Sequence, residues 1–316
     1  MSLKLVMLGT GDFAAPTFRA LYSAHQVLAL YTQPDRSLVG RTRNQNILKP
    51  IAEEHGTPIF QPEKINTSEE LDRLRSLGAD LFVVAAYGQI LSRAFLAIPP
   101  KGTINVHASL LPKYRGAAPI NYAILRGETE TGVSIIEVQP KLDAGPVFAM
   151  ESLRIGPHET TGELEPRLAE LGGPLTLRVL EQIEQGTAQP IPQDDAQATF
   201  SPKMPKDFGL IDWNWSAIDI ERQVRALQPW PTAFTYLHQP GKEPKRLVLR
   251  QVTPVDRASN KVPGTVISAE GDQLLVQTGN GALALQKIQP EGKRVMDVAE
   301  YLRGRPLSAG DTLRSR

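Results

Sequence analysis

The chain has 316 residues and not one cysteine. That excludes disulfides, thiol nucleophiles and thiolate-held metals together. Long hydrophobic runs are also missing: none approaches the ~20 residues that a membrane-spanning helix needs. The opening Met1-Ser-Leu-Lys-Leu-Val-Met-Leu-Gly9 is too short and too unlike a signal peptide to direct secretion. A cytoplasmic protein with no membrane partner is expected. Histidine is scarce, and the five present are scattered without metal-ligand spacing, so no metal is expected. Aromatics make up 6%, and the three tryptophans, Trp213, Trp215 and Trp230, suit packing better than base stacking.

What is there is ordinary for a globular protein: 41% hydrophobic and 22% charged residues. The length favours two domains over one. A net charge of +1 hides an asymmetry. Residues 206–316 carry 16 Lys and Arg against 12 Asp and Glu, a net of +4, which leaves −3 for residues 1–205. A basic C-terminal part on an acidic N-terminal part is a weak pointer to a polyanionic partner.

The N-terminal half alternates short apolar runs with helical patterns. Strands are expected at 3–8, 27–32, 58–60, 81–86 and 103–107. Helices are expected to about Tyr22, over 47–55 and over 68–77, with Thr67 or Ser68 as N-cap. This alternation predicts a doubly wound, mostly parallel α/β sheet, a Rossmann-like arrangement. Two further strands are expected at 132–138 and 147–155. Thr160-Thr-Gly-Glu163 reads as a capping box opening a helix that ends near Gly186, with Gly172, Gly173 and Pro174 kinking or splitting it. The polar stretch with Pro190, Pro192, Pro202 and Pro205 reads as a linker. A helix at 216–227 and five short strands between 233 and 288 suit a small β-barrel. The expected domains are therefore 1–188, a linker at 189–207, and 208–316.

Thr103–His107 is where chemistry is expected. Side chains alternate along a strand, so Asn105 and His107 share a face. The chain then breaks at Pro112, Gly116 and Pro119, leaving both polar groups at the mouth of the sheet, where such sheets bind ligands. An amide that holds an oxyanion beside an imidazole that handles protons suits acyl transfer. Asp143 in Leu142-Asp-Ala-Gly145 is the candidate acid, although Asp-x-Gly often only starts a turn. Gly9-Thr-Gly11-Asp-Phe-Ala14 fits a loose dinucleotide fingerprint, with Asp35 where a ribose-binding acid would stand. A nicotinamide-dependent oxidoreductase is therefore the alternative of a different class. Arg36, Arg41, Arg43 and Lys49 lie in a loop longer than an α/β unit usually tolerates, which favours a binding role.

The run Ile104-Asn-Val-His-Ala-Ser-Leu-Leu-Pro-Lys-Tyr-Arg-Gly-Ala-Ala-Pro-Ile120 resembles the signature of the 10-formyltetrahydrofolate-dependent formyltransferases. Its long form is most similar to the members whose acceptor is methionyl-tRNA. Thr32-Gln-Pro-Asp-Arg36, Ala86-Tyr-Gly88, Glu130-Thr-Gly-Val133, Ala-Leu-Gln-Pro-Trp-Pro231 and Pro263-Gly-Thr-Val fit in order. Gly11 and Ala144 depart from the family's usual Pro and Thr. The resemblance implies Asn105, His107 and Asp143 as a catalytic trio and 10-formyltetrahydrofolate as the formyl donor. Ser109, Leu110, Leu111, Pro112, Tyr87 and Gly88 would border the folate. Arg36, Arg41, Arg43 and Lys49 would touch initiator methionyl-tRNA, and a C-terminal OB-like domain would hold it. A monomer without a DNA partner is expected. A formyltransferase acting on a sugar or nucleotide amine is the nearer alternative.

Overall fold

The computed structural model of the chain describes residues 2–35, 46–257 and 260–315. They divide into two compact units. The first comprises Met1–Ile120, Glu130–Arg154 and Glu163–Pro202; the second comprises Asn121–Thr129, Ile155–Gly162 and Lys203–Arg316.

The first unit is built on strands β1 (Lys4–Gly9), β2 (Gln26–Tyr31), β3 (Ile59–Phe60), β4 (Leu81–Ala85), β5 (Thr103–His107) and, after a two-residue β6 (Arg115–Gly116), β7 (Glu130–Glu137) and β8 (Val147–Arg154). Seven of them form one sheet in the order β3-β2-β1-β4-β5-β7-β8. The pairs from β3 to β5 are parallel, and β7 and β8 extend the sheet antiparallel. The mostly parallel α/β reading is correct, and Thr103–His107 is a strand with the expected bounds. All five residues of β4 are buried, as a central strand covered on both faces requires. Strand order reverses between β1 and β4, so the crevice beyond their carboxyl ends is the topological switch point.

Helices α1 (Ala15–Ala24), α2 (Leu48–Glu54) and α3 (Ser68–Leu77) connect the parallel strands; Thr67 caps α3 by accepting from Glu70 N–H. The helix from Thr161 to Gln185 is continuous, contrary to the expected split, although Pro166 and Pro174 lie inside it. The glycines serve close approach instead. A Cβ on Gly172 would stand 3.0 Å from Thr17 Oγ1 and 3.1 Å from Val106 Cγ1, and one on Gly173 would meet Ala20 and Pro16. Small residues here let the helix lie against α1 and β5.

The second unit is a curled antiparallel sheet. Its strands are Phe234–His238, Lys245–Val255, Val266–Glu270, Gln273–Gln277, Ala282–Pro290, Thr312–Arg314 and the two-residue Met296–Asp297, which pairs with Ala282–Pro290. The strands at Val266–Glu270 and Thr312–Arg314 stand at opposite ends of the order. A bridge between Thr265 and Thr312 and the bond from Val266 N–H to the Asp311 carbonyl join those ends, giving the barrel-like closure. The helix expected at 216–227 is Ala217–Ala226, with Ser216 as its N-cap accepting from Asp219 N–H. A short helix, Val298–Gly304, and the strand Thr312–Arg314 have too little periodicity to be read in advance. Of the tryptophans only Trp213 is core, its indole N–H donating to Thr235; Trp215 and Trp230 are 40% and 51% exposed. Among the described residues no helix is long and apolar enough to cross a membrane.

Candidate active site

Strand β5 delivers Asn105 and His107 to its carboxyl end, and the Asp143 loop folds onto them. Asn105 Nδ2 lies 3.5 Å from Asp143 Oδ1, a long contact, and His107 Nδ1 lies 3.8 Å from Asp143 Oδ2. The second distance exceeds a hydrogen bond, so imidazole and carboxylate stand side by side rather than bonded. His107 is almost wholly buried, while Asn105 and Asp143 are half-buried. Sequence reasoning brings together the three groups that meet here.

The orientation of the imidazole follows from its other nitrogen. His107 Nε2 is 3.0 Å from the buried carbonyl of Tyr114. A carbonyl only accepts, so Nε2 carries a proton and Nδ1 is the nitrogen turned to Asp143. The same carbonyl accepts from Ser201 Oγ at 2.9 Å, and Tyr114 N–H donates to Thr199 Oγ1 at 2.9 Å. Tyr114 holds φ 62°, outside the usual range for a residue with a side chain, and these bonds keep it there.

Asp143 is also left-handed, at φ 46°, a region that Asp tolerates better than most residues. Its Oδ2 accepts from Gly116 N–H at 2.9 Å. Its backbone carbonyl and that of Gly145 both accept from the Gln193 amide, at 2.8 and 2.7 Å. Gly145 has no room for a side chain, since a Cβ would stand 1.8 Å from the Glu137 carbonyl. Arg115, only 1% exposed, donates to Gln193 Oε1 through Nε and Nη2 and to Asp195 through Nη1. Lys141 and Arg115 beside Asp195 hold its carboxyl below the usual carboxylate range.

Residues 190–201, expected as a linker, therefore support the site. Phe200–Ser201 pairs with β6 as a short parallel ladder. Gln193, Thr199 and Ser201 escaped the sequence reading because a polar, proline-rich stretch carries no periodicity. The one available signal was Arg115, an arginine inside the motif that had to find acceptors once buried.

The other residues expected at the site are distributed as follows. Ser109 Oγ donates to the Lys113 carbonyl, and Ser134 Oγ links the Ser109 carbonyl to Leu111 N–H. The segment 109–112 thus has its hydroxyl and most of its backbone groups occupied, and what it exposes in part is Leu110 and Pro112. Tyr87 is buried in the core cluster with Phe82 and Phe95, its carbonyl accepting from Gln33 Nε2, so of this pair only Gly88 (φ 81°) is exposed. Ile90 and Leu142 stand exposed on the loops after β4 and β7. Lys49 is paired with Asp35 at 2.8 Å. Arg36, Arg41 and Arg43 lie outside the described residues.

The glycine turn after β1 has a packing explanation. A Cβ on Gly9 would come within 3.0 Å of the Ala85 carbonyl and 3.1 Å of Ala14 Cβ. Asp12 opens the helical stretch that follows, putting a negative charge where a pyrophosphate would sit. Asp35, the presumed ribose acid of that reading, is engaged by Lys49. Among the described residues no group of His, Asp and Glu could hold a metal ion.

Residues 3–180 match the family model described as formyl transferase, and residues 203–306 match formyl transferase, C-terminal domain. The chain is 39% identical over 313 residues to a methionyl-tRNA formyltransferase of Alkaliphilus oremlandii, covering 98% of this chain and 99% of that one. It is 43% identical over 304 residues to the protein of that name from Staphylococcus epidermidis, covering 95% and 96%. Among solved structures it is similar to the sugar 3N-formyl transferase WlaRD, with a TM-score of 0.65 and 15% identity, over 93% of this chain and 100% of that one. It is also similar to HypX from Aquifex aeolicus in complex with tetrahydrofolic acid, with a TM-score of 0.62 and 18% identity. That match covers 99% of this chain, which spans about half (51%) of the HypX chain. At these identities the solved structures speak for the fold.

Proposed function

The chain belongs to the formyl transferase family, through its N-terminal and its C-terminal domain alike, and on that footing we propose that it transfers a formyl group from 10-formyltetrahydrofolate to the free α-amino group of methionyl-tRNA. The observation that carries this reading is the meeting of Asn105, His107 and Asp143 at the end of β5, in a chain whose full-length relatives bear that enzyme's name.

The folate brings the formyl group as an electrophile on nitrogen. The surfaces near the site suit a flat, partly apolar ring system: the exposed Gly88, the partly exposed Leu110 and Pro112, and the exposed side chains of Ile90 and Leu142. Tyr87 and Ser109 are buried, so they support this border from within and present no surface of their own to the folate.

An α-amino group titrates near about 7.7–8.0, so a useful neutral fraction exists at pH 7. Asn105 donates its amide N–H to the formyl oxygen as negative charge grows there, a contribution of about 3–4 kcal/mol for a well-aimed donor. His107 presents Nδ1, the nitrogen free of the Tyr114 carbonyl, as the second donor when it is protonated. Asp143 faces that nitrogen and accepts the proton that the attacking amine sheds, directly or through a water; as the tetrahedral intermediate collapses, the bond from the formyl carbon to the folate nitrogen breaks and that nitrogen takes up the proton. No covalent enzyme intermediate is required, in keeping with a chain without cysteine.

The acceptor binds through phosphates. Arg36, Arg41 and Arg43, which precede α2 in sequence, Lys49 within α2, and the basic excess of residues 206–316 are the cationic groups that would meet the phosphates of initiator methionyl-tRNA. The test is formylation of charged initiator tRNA with 10-formyltetrahydrofolate, run beside amino-sugar and ribonucleotide-amine acceptors and beside a nicotinamide titration. Formyl-methionyl-tRNA as the preferred product supports the reading. Preferential formylation of a small amine, or saturable nicotinamide binding, overturns it.

A further inference from the structure

Asp143 owes its position to a side chain that comes from 50 residues further along the chain. Gln193 Nε2 donates to the carbonyls of Asp143 and Gly145, and Gln193 Oε1 accepts two bonds from Arg115. Only one amide orientation satisfies all four, because carbonyls cannot donate and a guanidinium cannot accept. Arg115 is itself fixed: fully buried and anchored on Asp195. The chain of contacts therefore runs from a buried cation through one amide to the two carbonyls that flank Ala144, the tip of the loop. Asp143 sits at φ 46°, a conformation that does not persist without support. Gly116 N–H then orients the carboxylate itself.

We propose that Gln193 is a positioning residue for formyl transfer, holding the left-handed Asp143 turn so that the carboxylate faces His107 Nδ1 and Asn105. The proposal rests on the reading of Asp143 as a catalytic residue. Gln193 makes no hydrogen bond to the side chains of Asn105 or His107; its direct link to the site is the pair of bonds to the Asp143 turn.

Gln193→Glu isolates this role. It keeps the length and the bonds from Arg115, but sets a carboxylate oxygen against two carbonyl oxygens where two N–H donors stood. The test is a double-mutant cycle on methionyl-tRNA formylation with Gln193→Glu, Asp143→Asn and the pair, each checked for folding by circular dichroism and thermal melting. Gln193→Glu is expected to lower kcat about 10- to 50-fold while KM for both substrates stays within about threefold. In the Asp143→Asn background the same change is expected to cost less than about threefold, since residues acting through one group are not additive. A kcat within twofold of wild type for folded Gln193→Glu, or an equal loss in both backgrounds, overturns the proposal. Gln193→Met, which removes the donors without adding charge, carries the same cycle if the Glu variant does not fold. Wild-type turnover of Asp143→Asn alone is a separate result: it removes Asp143 from catalysis and overturns the underlying reading instead.

Discussion

His107 gives its Nε2 proton to the carbonyl of Tyr114 at 3.0 Å, and this bond decides which nitrogen meets the reaction. The tautomer is set by a backbone group that is itself held by Ser201 and Thr199. On the proposed mechanism the working atom is Nδ1, which lies 3.8 Å from Asp143 Oδ2.

That assignment predicts an order among substitutions. His107→Ala removes the donor and should lower kcat by about 100-fold or more, with folate affinity changed much less. Asn carries its polar atoms near the Nδ1 position, whereas Gln reaches toward Nε2. His107→Asn should therefore retain more activity than His107→Gln, by about threefold or more. Steady-state formylation by the three variants measures this; equal rates for Asn and Gln would show that Nδ1 is not the working nitrogen.

Gly145 provides a second expectation. Any side chain at this position meets the Glu137 carbonyl at 1.8 Å, and backbone cannot step aside as a side-chain tip can. Gly145→Ala should shift the loop that bears Asp143, lowering stability by about 1–3 kcal/mol, as overpacking does, and lowering kcat by more than tenfold. Thermal melting and initial rates check it. A variant with unchanged melting point and rate would mean that the loop relaxes freely.

A third concerns pH. Burial, and then the negative charge of Asp12, raise the pKa of Glu165 in the long helix. A carboxyl whose folded pKa is raised binds a proton more readily folded than unfolded. Its contribution to stability is therefore lost as pH rises from the ordinary carboxylate range through the raised value. Glu165→Gln removes the ionised form and should raise the melting temperature at pH 7 by about 1–3 °C. The gain should shrink toward zero near pH 4, where Glu165 is already protonated. A stabilisation that is equal at both pH values would point to packing instead.

The parallel sheet and the trio at the end of β5 were legible because both follow from local rules. Strand periodicity puts Asn105 and His107 on one face, and Thr67 is a cap of ordinary kind. Asp143 was legible as a candidate, but its reach onto β5 was not. What escaped depends on contacts distant in sequence. Gln193, Thr199 and Ser201 lie 50 to 87 residues from the groups they hold, within a stretch whose prolines read as a spacer. Gly172 and Gly173 read as helix breakers, because a sequence does not reveal that Val106 and Ala20 will press against them. Pro174 lacks only one helical hydrogen bond, and the surrounding packing keeps the helix whole.

The support from residues 190–201 changes where the catalytic half can be cut. A chain ending at Gln189 loses Gln193, Asp195, Thr199 and Ser201 together. Arg115 then loses both acceptors, which costs up to about 3–5 kcal/mol to the extent that its charge stays covered. The Tyr114 carbonyl loses its second donor, and the Asp143 turn loses its clamp. A chain ending at Pro202 keeps all of these, and that residue is also where the first compact unit ends. Residues 1–202 should fold and bind the formyl donor while losing most affinity for methionyl-tRNA, because the basic excess of residues 206–316 is gone. Residues 1–189 should melt at least 10 °C lower, or fail to fold, and bind the donor weakly; a loss of that size in free energy moves a domain of this length by about that much. In the full chain, tRNA affinity should fall steeply with salt as each neutralised phosphate retakes its counterions. Thermal melts, donor binding and tRNA titrations at two salt concentrations separate the three proteins. If residues 1–189 are as stable as residues 1–202, the strap is dispensable; if residues 1–202 bind charged tRNA as tightly as the full chain, the anchoring role of the C-terminal unit fails.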